Sequence, residues 1–469
     1  MARILFVYPN KEAYPIIPIA ISLLSGILKQ KGHQIDLFDV TFMLSERSDH
    51  KARETTRFTQ PVNVEAYWGS GLVVDIPAEL RKKLQSFHPD LVAFSIVENN
   101  YGCARRLFEE VKETMNVPVL VGGMFPTVVP DFFIHDPNVD LICLGEGEET
   151  IVEIAKRIDL GQDFLNIPNL VTKSVAGVSR GGMAPYYRWE PFVLQDWNIF
   201  DQRHIFKPFM GEMRQAGYFE LSRGCAHQCF YCNNLIMQEL FKEAGRYVRQ
   251  KPSELLVQEV ACMKDAHDLN LICFNDENFL QMNEERFKEF CRQYQTMVGL
   301  PFFMQTRADT LLKEDRVRTL KDIGCVTIGI GVEHGNETIR KKVLNKNTPN
   351  SIFEKAFQNC KKAGIRTTAY IMMGLPFETE ENILETAAFC KKIEAESVAV
   401  SIFAPYYGTE LRRVCVQNGF MDDRYYDEIS INWHSILSMP QISKQRIEEL
   451  YHQLHSLIFG DAGDLTVNK

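Results

Sequence analysis

Cys225, Cys229 and Cys232 fall within eight residues, in Ser222-Arg223-Gly224-Cys225-Ala226-His227-Gln228-Cys229-Phe230-Tyr231-Cys232-Asn233. A structural zinc site takes four ligands, usually as two spaced pairs, and no matching pair occurs elsewhere in the chain. Three thiolates can hold three corners of a cubane iron-sulfur cluster, whereas a cluster that only carries electrons has all four irons ligated. One iron would then be open to a substrate or cosubstrate. Two other readings of the same residues are a zinc site completed by His227 and a chance grouping of thiols.

The rest of the composition bounds the context. Most of the 12 cysteines lie singly in apolar or helical patterns, unlike a secreted disulfide framework, so reduced thiols are expected. There are 61 acidic and 52 basic residues, a formal charge of -9, and no run of five or six basic side chains. That gives little support to a nucleic-acid or anionic-membrane surface and favours a small molecule or peptide as substrate. The apolar stretch Tyr14 to Leu24 is broken by Pro15, Pro18 and Ser22 and falls short of the ~20 residues of a membrane span. A strand-like Ile4-Leu5-Phe6-Val7 stands where a secretory signal would need a basic segment, so a cytoplasmic protein is expected.

At 469 residues, 45% hydrophobic and 24% charged, the chain should form two or three globular domains. Apolar runs at Arg3 to Tyr8, Ile35 to Val40, Leu91 to Val97, Val117 to Val121 and Val139 to Leu144 alternate with helical periods, one opening at Pro18 and others near 77 to 87, 102 to 115 and 149 to 158. This predicts a doubly wound, Rossmann-like α/β domain over 1–158. Residues 41 to 76 are a polar insertion without a period, and 159–215, punctuated by Pro168, Gly181-Gly182, Pro185, Pro191 and Pro208, read as an ordered linker. Six further strand-helix units follow, with strands near 218 to 222, 271 to 275, 301 to 306, 326 to 332, 366 to 373 and 397 to 403. They predict a partial (β/α)6 barrel over 216–410, whose chemistry would sit at the C-terminal ends of its strands. Residues 411–469 read as a short helical C-terminus with a last helix from about Lys444 to Ile458.

The triplet, with Tyr231 just before its third cysteine and a position directly after the first barrel strand, resembles the hallmark of the radical S-adenosylmethionine superfamily. Five later segments resemble the same superfamily in order: Phe274-Asn275-Asp276-Glu277-Asn278-Phe279, Gln305-Thr306-Arg307-Ala308-Asp309, Gly329-Ile330-Gly331-Val332-Glu333, Met373-Gly374-Leu375-Pro376-Phe377-Glu378-Thr379 and Phe403-Ala404-Pro405-Tyr406-Tyr407-Gly408-Thr409. The resemblance implies a 4Fe-4S cluster on Cys225, Cys229 and Cys232. It further implies S-adenosylmethionine chelated to the open iron and cleaved to a 5'-deoxyadenosyl radical, with the cofactors carrying the difficult chemistry. By the same analogy Tyr231 would contact the adenine, and Glu277, Arg307 and Glu333 the ammonium, carboxylate and ribose. Each of those charges could instead cap a helix or pair on the rim.

The first 155 residues resemble the cobalamin-binding domain fused to many such enzymes. The matching pieces are Tyr8-Pro9-Asn10, Phe94-Ser95-Ile96, Val121-Gly122-Gly123-Met124 and Gly145-Glu146-Gly147-Glu148, each after a strand, where an open parallel sheet binds its ligand. The resemblance implies that Gly122 and Gly123 admit the nucleotide tail of cobalamin closely and that Ser95 offers a hydroxyl, with Gly145 in the same set. None of His33, His50, His88 or His135 stands in the Asp-x-His-x2-Gly frame that ligates cobalt, so a displaced base without that histidine is expected.

The resemblance as a whole implies a cobalamin-dependent radical S-adenosylmethionine enzyme. Its expected reaction is methylation of an unactivated carbon, or of phosphorus, with one S-adenosylmethionine remethylating cobalt and a second supplying the radical. An external one-electron reductant such as flavodoxin or ferredoxin, and a monomeric chain, go with this reading. Radical cyclisation or rearrangement without methyl transfer is the alternative. The tRNA methylthiolation family shares the barrel motifs but carries three more N-terminal cysteines and a basic RNA module, whereas the first 200 residues here hold only Cys103 and Cys143. A non-catalytic zinc or cobalamin carrier would not need the five later motifs.

Overall fold

The computed structural model describes residues 1–10, 14–43, 61–69, 74–174, 177–426 and 434–460. These divide into two compact units. The first holds the described residues within Met1–Ser48, Asn63–Tyr218 and Ile236–Lys251, the second those within Asp49–Val62, Phe219–Leu235 and Pro252–Lys469. Of the polar insertion at 41 to 76, positions 44–60 and 70–73 lie outside the described residues.

In the first unit, strands β1 (Arg3–Tyr8), β2 (Gln34–Asp39), β3 (Leu91–Ser95), β4 (Val119–Gly122) and β5 (Leu141–Cys143) are parallel, in the spatial order β2-β1-β3-β4-β5. Ile4, Leu5, Val7, Leu91 and Val92 have no exposed surface, as a parallel sheet with helices on its faces requires. The helix Tyr101–Thr114 shows why: Ala104, Leu107, Phe108 and Val111 recur at helical spacing and all are buried. The strand order reverses between β1 and β3, which opens a crevice at their C-terminal ends.

The segment read as a linker carries structure of its own. β6 (Leu170–Ser174) pairs antiparallel with β5, and β7 (Gly177–Arg180) with β6, extending the same sheet. β6 is short and β7 is mostly exposed, so neither leaves an apolar run or a clean alternation in the sequence.

The second unit is built on the parallel strands Leu271–Phe274, Phe302–Thr306, Cys325–Glu333, Arg366–Met373 and Ser397–Ile402, ordered in space as in sequence. The strand entering the unit is Glu212–Phe219, whose last carbonyl accepts from Asn275 N. It starts earlier than the predicted 218 to 222 because its polar first half, Glu212-Met213-Arg214-Gln215, hides it from a hydrophobicity scan. Helices such as Glu284–Met297, Asn350–Ala363 and Glu380–Lys392 separate the strands, and Lys444–Phe459 packs on Glu380–Lys392. Along Arg366–Met373 burial alternates strictly: Thr367, Ala369, Ile371 and Met373 are buried, while Thr368, Tyr370 and Met372 face the part-open concave side. The sheet is an open, partial (β/α)6 barrel, with Ser397–Ile402 at its edge. Among the described residues no helix is long and apolar enough to cross a membrane.

Candidate functional site

The cysteine loop is fixed before its thiols are considered. Asp276, 3% exposed, accepts from the backbone N–H groups of Leu221 and Ser222 and from Ser222 Oγ at 2.6 Å. Gly224, at φ +85°, then turns the chain into the triplet. Farther on, Phe230 is pinned through its backbone, its N–H donating to Leu344 O at 3.1 Å and its carbonyl accepting from Leu411 N at 3.0 Å. Asn234 directs its backbone N–H and its side-chain amide at Cys232 Sγ, at 3.5 and 3.4 Å. These are donors aimed at a sulfur, which favour it as thiolate.

All three cysteines line one cavity of about 340 Å³. The same cavity receives Tyr231, Glu277, Arg307 and Glu333, so the structure brings together the seven side chains singled out in the barrel. Each charged one projects from the end of a different strand, as expected of a barrel site. Burial pushes the thiols of Cys225 and Cys232 up, and burial with the neighbouring Arg307 pushes His227, also in the wall, down. Among the described residues no three His, Cys, Asp or Glu side chains are gathered as they would be around a single ion.

Two observations test whether a cluster carrying an amino-acid cosubstrate fits. Arg307 is held only by long contacts, its Nε 3.4 Å from Asp309 Oδ1 and its Nη2 donating to Thr348 Oγ1 at 3.2 Å. The wall also mixes cations and carboxylates, as recognition of a zwitterion requires. The residues fit.

Glu333 sits at φ +66°, where a non-glycine residue is strained, beside a register shift against Arg366–Met373. Its carboxylate accepts from Lys346 Nζ at 2.9 Å, and burial together with this carboxylate pushes the Tyr231 phenol well up. Lys346 is 4% exposed and also donates to Gly331 O. The loop that carries it is clamped by Arg340, fully buried, which donates to the carbonyls of His334, Gly335 and Thr348 and to Asn350 Oδ1. Tyr370 lies over Gly329, where an added Cβ would stand 2.4 Å from its ring. Sequence reasoning missed Lys346, Arg340 and Tyr370. A lysine in the polar run Asn345-Lys346-Asn347-Thr348 gives no sign that it is buried, but Gly329 was a usable sign of a bulky neighbour.

In the first unit, registers Val7 with Phe94, Phe94 with Val121 and Val121 with Ile142 bring Tyr8-Pro9-Asn10, Ser95, Gly122-Gly123 and Gly145 to one edge of the sheet. Asn10 Nδ2 bridges Tyr14 O and Thr41 Oγ1, both at 3.0 Å. The glycines divide. Gly123, at φ +106°, packs against its neighbour loop, an added Cβ meeting Ile96 O at 2.6 Å. Gly145, at φ +72°, is covered by the Phe241 ring, 2.6 Å from such an atom, while Gly122 meets nothing closer than Cys143 Cβ at 3.6 Å. Gly122 is therefore the glycine of the set with room for a ligand. Val97, 48% exposed just after β3, leaves an apolar side chain in solvent at that edge, which fits a bound ligand with an apolar face.

Residues 219–390 match the model of the Radical SAM superfamily, and residues 62–155 the model of the B12 binding domain. The chain thus carries a B12-binding domain followed by a domain of the Radical SAM superfamily. It is 22% identical over 381 residues, 80% of this chain and 78% of the relative, to an uncharacterized methyltransferase of Pyrococcus horikoshii. It is also 22% identical to the anaerobic magnesium-protoporphyrin IX monomethyl ester cyclase of Rubrivivax gelatinosus, over 87% of this chain and 69% of that one. Among solved structures, the radical S-adenosylmethionine methyltransferase TsrM from Kitasatospora setae, with cobalamin and a [4Fe-4S] cluster bound, shares the fold. Its TM-score is 0.64 at 18% identity, covering 89% of this chain and 75% of that one.

Proposed function

We propose that this protein is a cobalamin-dependent radical S-adenosylmethionine enzyme that transfers a methyl group to an unactivated carbon or to phosphorus of a small molecule or peptide. The observation that carries this reading is the gathering of Cys225, Cys229 and Cys232 in one cavity with Tyr231, Glu277, Arg307 and Glu333. When bound, the 4Fe-4S cluster with S-adenosylmethionine supplies a primary carbon radical, and cobalamin supplies a methyl donor. The chain's own groups bind and orient. Arg307 and Lys346 offer cations to the cosubstrate carboxylate, Glu277 and Glu333 offer acceptors to its ammonium and ribose hydroxyls, and Tyr231 offers a face for the adenine. Gly122 and Ser95 offer the open stretch of the first unit's edge to cobalamin, with the Tyr8-Pro9-Asn10 loop beside it. The reading includes a one-electron donor such as flavodoxin or ferredoxin, a monomeric chain and a reducing, cytoplasmic setting.

Replacing all three cysteines by Ala should remove iron and sulfide while the protein stays folded, since the loop is held by Asp276, Leu344 and Leu411. Full iron content in that variant would refute the cluster assignment. Gly122→Leu should lower cobalamin content with iron unchanged. Gly123→Leu is unsuitable, because it would break the packing on Ile96. The likeness to the cyclase supports a second reading, radical cyclisation or rearrangement. A labelled methyl group from S-adenosylmethionine, present in or absent from the product, separates the two.

A further inference from the structure

The loop that carries the three cysteines is held at its start by Asp276 and at its middle by the backbone of Phe230. Cys232, at its end, runs straight into the helix Asn233–Leu240, and no residue of that helix is buried. A short helix that buries no apolar face has little stability of its own. Its anchorage comes from the residues that follow, 241 to 251, which pack within the first unit.

Two side chains make that anchorage. Phe241, 6% exposed, lays its ring over Gly145, and its carbonyl accepts from Tyr186 Oη at 3.3 Å. Arg249 takes the next residue of the same loop: Nη2 donates to Glu146 Oε1 at 2.5 Å and Nη1 to Oε2 at 3.1 Å, with the two side chains only 15% and 18% exposed. The guanidinium also donates to Tyr187 O at 3.0 Å and lies 4.1 Å from the centre of the Tyr186 ring. A two-pronged, stacked and largely desolvated pair of this kind holds both position and orientation. The seat is fixed in turn. Gly145 N donates to Thr127 Oγ1 at 2.9 Å, Thr127 Oγ1 donates to Gly123 O at 2.7 Å, and Tyr187 N donates to Glu146 Oε2 at 2.8 Å.

We infer that Phe241 and Arg249 are positioning residues for the iron-sulfur cluster. Seated on Gly145 and Glu146, they fix the far end of the helix that begins after the third cysteine, and so keep Cys232, with the Asn234 donors on its sulfur, in place. The inference rests on the cluster reading above. A cluster held by three thiolates is exposed to loss whenever one of them swings away, so the rate at which iron leaves reports how often the Cys232 end opens.

The test follows iron release from the reconstituted full-length protein to a coloured ferrous chelator under anaerobic, reducing conditions. Arg249→Met should release iron about five-fold faster than the wild type, less than the ~10–100-fold cost of removing a group bonded directly to a metal ligand. Glu146→Gln, which keeps the shape and loses the charge, should speed release about two-fold. Arg81→Met breaks another arginine–glutamate pair of the first unit, Arg81 Nε with Glu110 Oε1 at 2.7 Å, and should leave the rate unchanged whatever it does to the melting temperature. A wild-type rate in Arg249→Met would overturn the inference, as would an Arg81→Met that releases iron as fast as Arg249→Met. Should Arg249→Met not fold, Glu146→Gln decides alone, and a wild-type rate in it overturns the inference. A wild type that takes up no iron would refute the cluster reading, and this one with it, before any rate is measured.

Discussion

Glu378 offers a sharp test of how the strand ends are held. It and His334 have no exposed surface, and His334 Nε2 meets Glu378 Oε1 at 2.8 Å. His334 Nδ1 accepts from Asn336 N at 3.0 Å, so the ring proton must be on Nε2, donating to the carboxylate. The other oxygen, Oε2, accepts from the backbone N–H groups of Gly374 and Leu375. Three donors thus converge on one carboxylate. Glu378→Gln keeps the volume but supplies one acceptor oxygen and one donor group. With its oxygen toward the backbone, the amide N–H2 faces the imidazole N–H. With its oxygen toward the imidazole, it faces two backbone donors. Moving the ring proton to Nδ1 only shifts the conflict to Asn336 N. The cheapest arrangement leaves one buried donor unmet, about 1–3 kcal/mol, and weakens the remaining bonds by loss of charge. A total of about 3 kcal/mol corresponds to a melting temperature about 6–12 °C lower for a unit of this size. Thermal melts of full-length wild type and Glu378→Gln read the difference directly. A variant that melts with the wild type would mean that the assigned proton placement is wrong.

Three further outcomes follow from the same geometry. Lys346→Met strands the Glu333 carboxylate and should cost about 2 kcal/mol; Glu333→Gly relieves about 1 kcal/mol of backbone strain but strands the ammonium. The double variant should therefore be more stable than the sum of the two singles by at least about 1 kcal/mol in a denaturant cycle, and simple additivity would argue that the pair is not coupled. Burial pushes the Asp276 carboxyl up to about 7, against the Ser222 and Leu221 donors that pull it down. A folded value above the unfolded one means that the group's contribution to stability is full below about pH 4 and lost as pH rises toward about 7. Asp276→Asn should flatten that part of the profile of urea midpoint against pH, and an unchanged slope would exonerate Asp276. Gly145→Ala combines a left-handed φ with a Cβ 2.6 Å from the Phe241 ring and should cost about 2 kcal/mol. Phe241→Leu in the same chain should recover only the packing part, as read by melting temperature.

How much of this was legible in the sequence depended on which signal each residue leaves. Strands buried on both faces, such as Leu91–Ser95, leave apolar runs, and Cys225, Cys229 and Cys232 announce themselves by type and spacing. Glu277, Arg307 and Glu333 could be marked because each stands in a strand-end segment that resembles the superfamily's, and the structure places all three in the cysteine-lined cavity. Lys346 and Arg340 could not, because both sit in polar stretches where burial is decided by contacts with distant loops. The glycines illustrate the same limit. Their spacing marks close approach, but not what approaches: Ile96 for Gly123, Phe241 for Gly145 and Tyr370 for Gly329.

The position of Glu333 shows why those illegible residues matter. A glutamate at φ +66° costs about 1–2 kcal/mol relative to a conformation it prefers, and nothing local repays that, since the bulge beside it also breaks the register. The conformation persists because the surroundings fix it from several sides. Lys346 holds the carboxylate and the Gly331 carbonyl together, Arg340 holds the loop that presents Lys346, and Glu378 holds His334, the next residue along. Gly331 must lack a side chain for this to close, because a Cβ there would stand 2.4 Å from Glu333 Oε1. Strain maintained by a buried network is strain that a ligand does not have to impose. The carboxylate faces the cavity wall already oriented, next to Tyr231, so binding energy from a cosubstrate is not consumed in bringing it there.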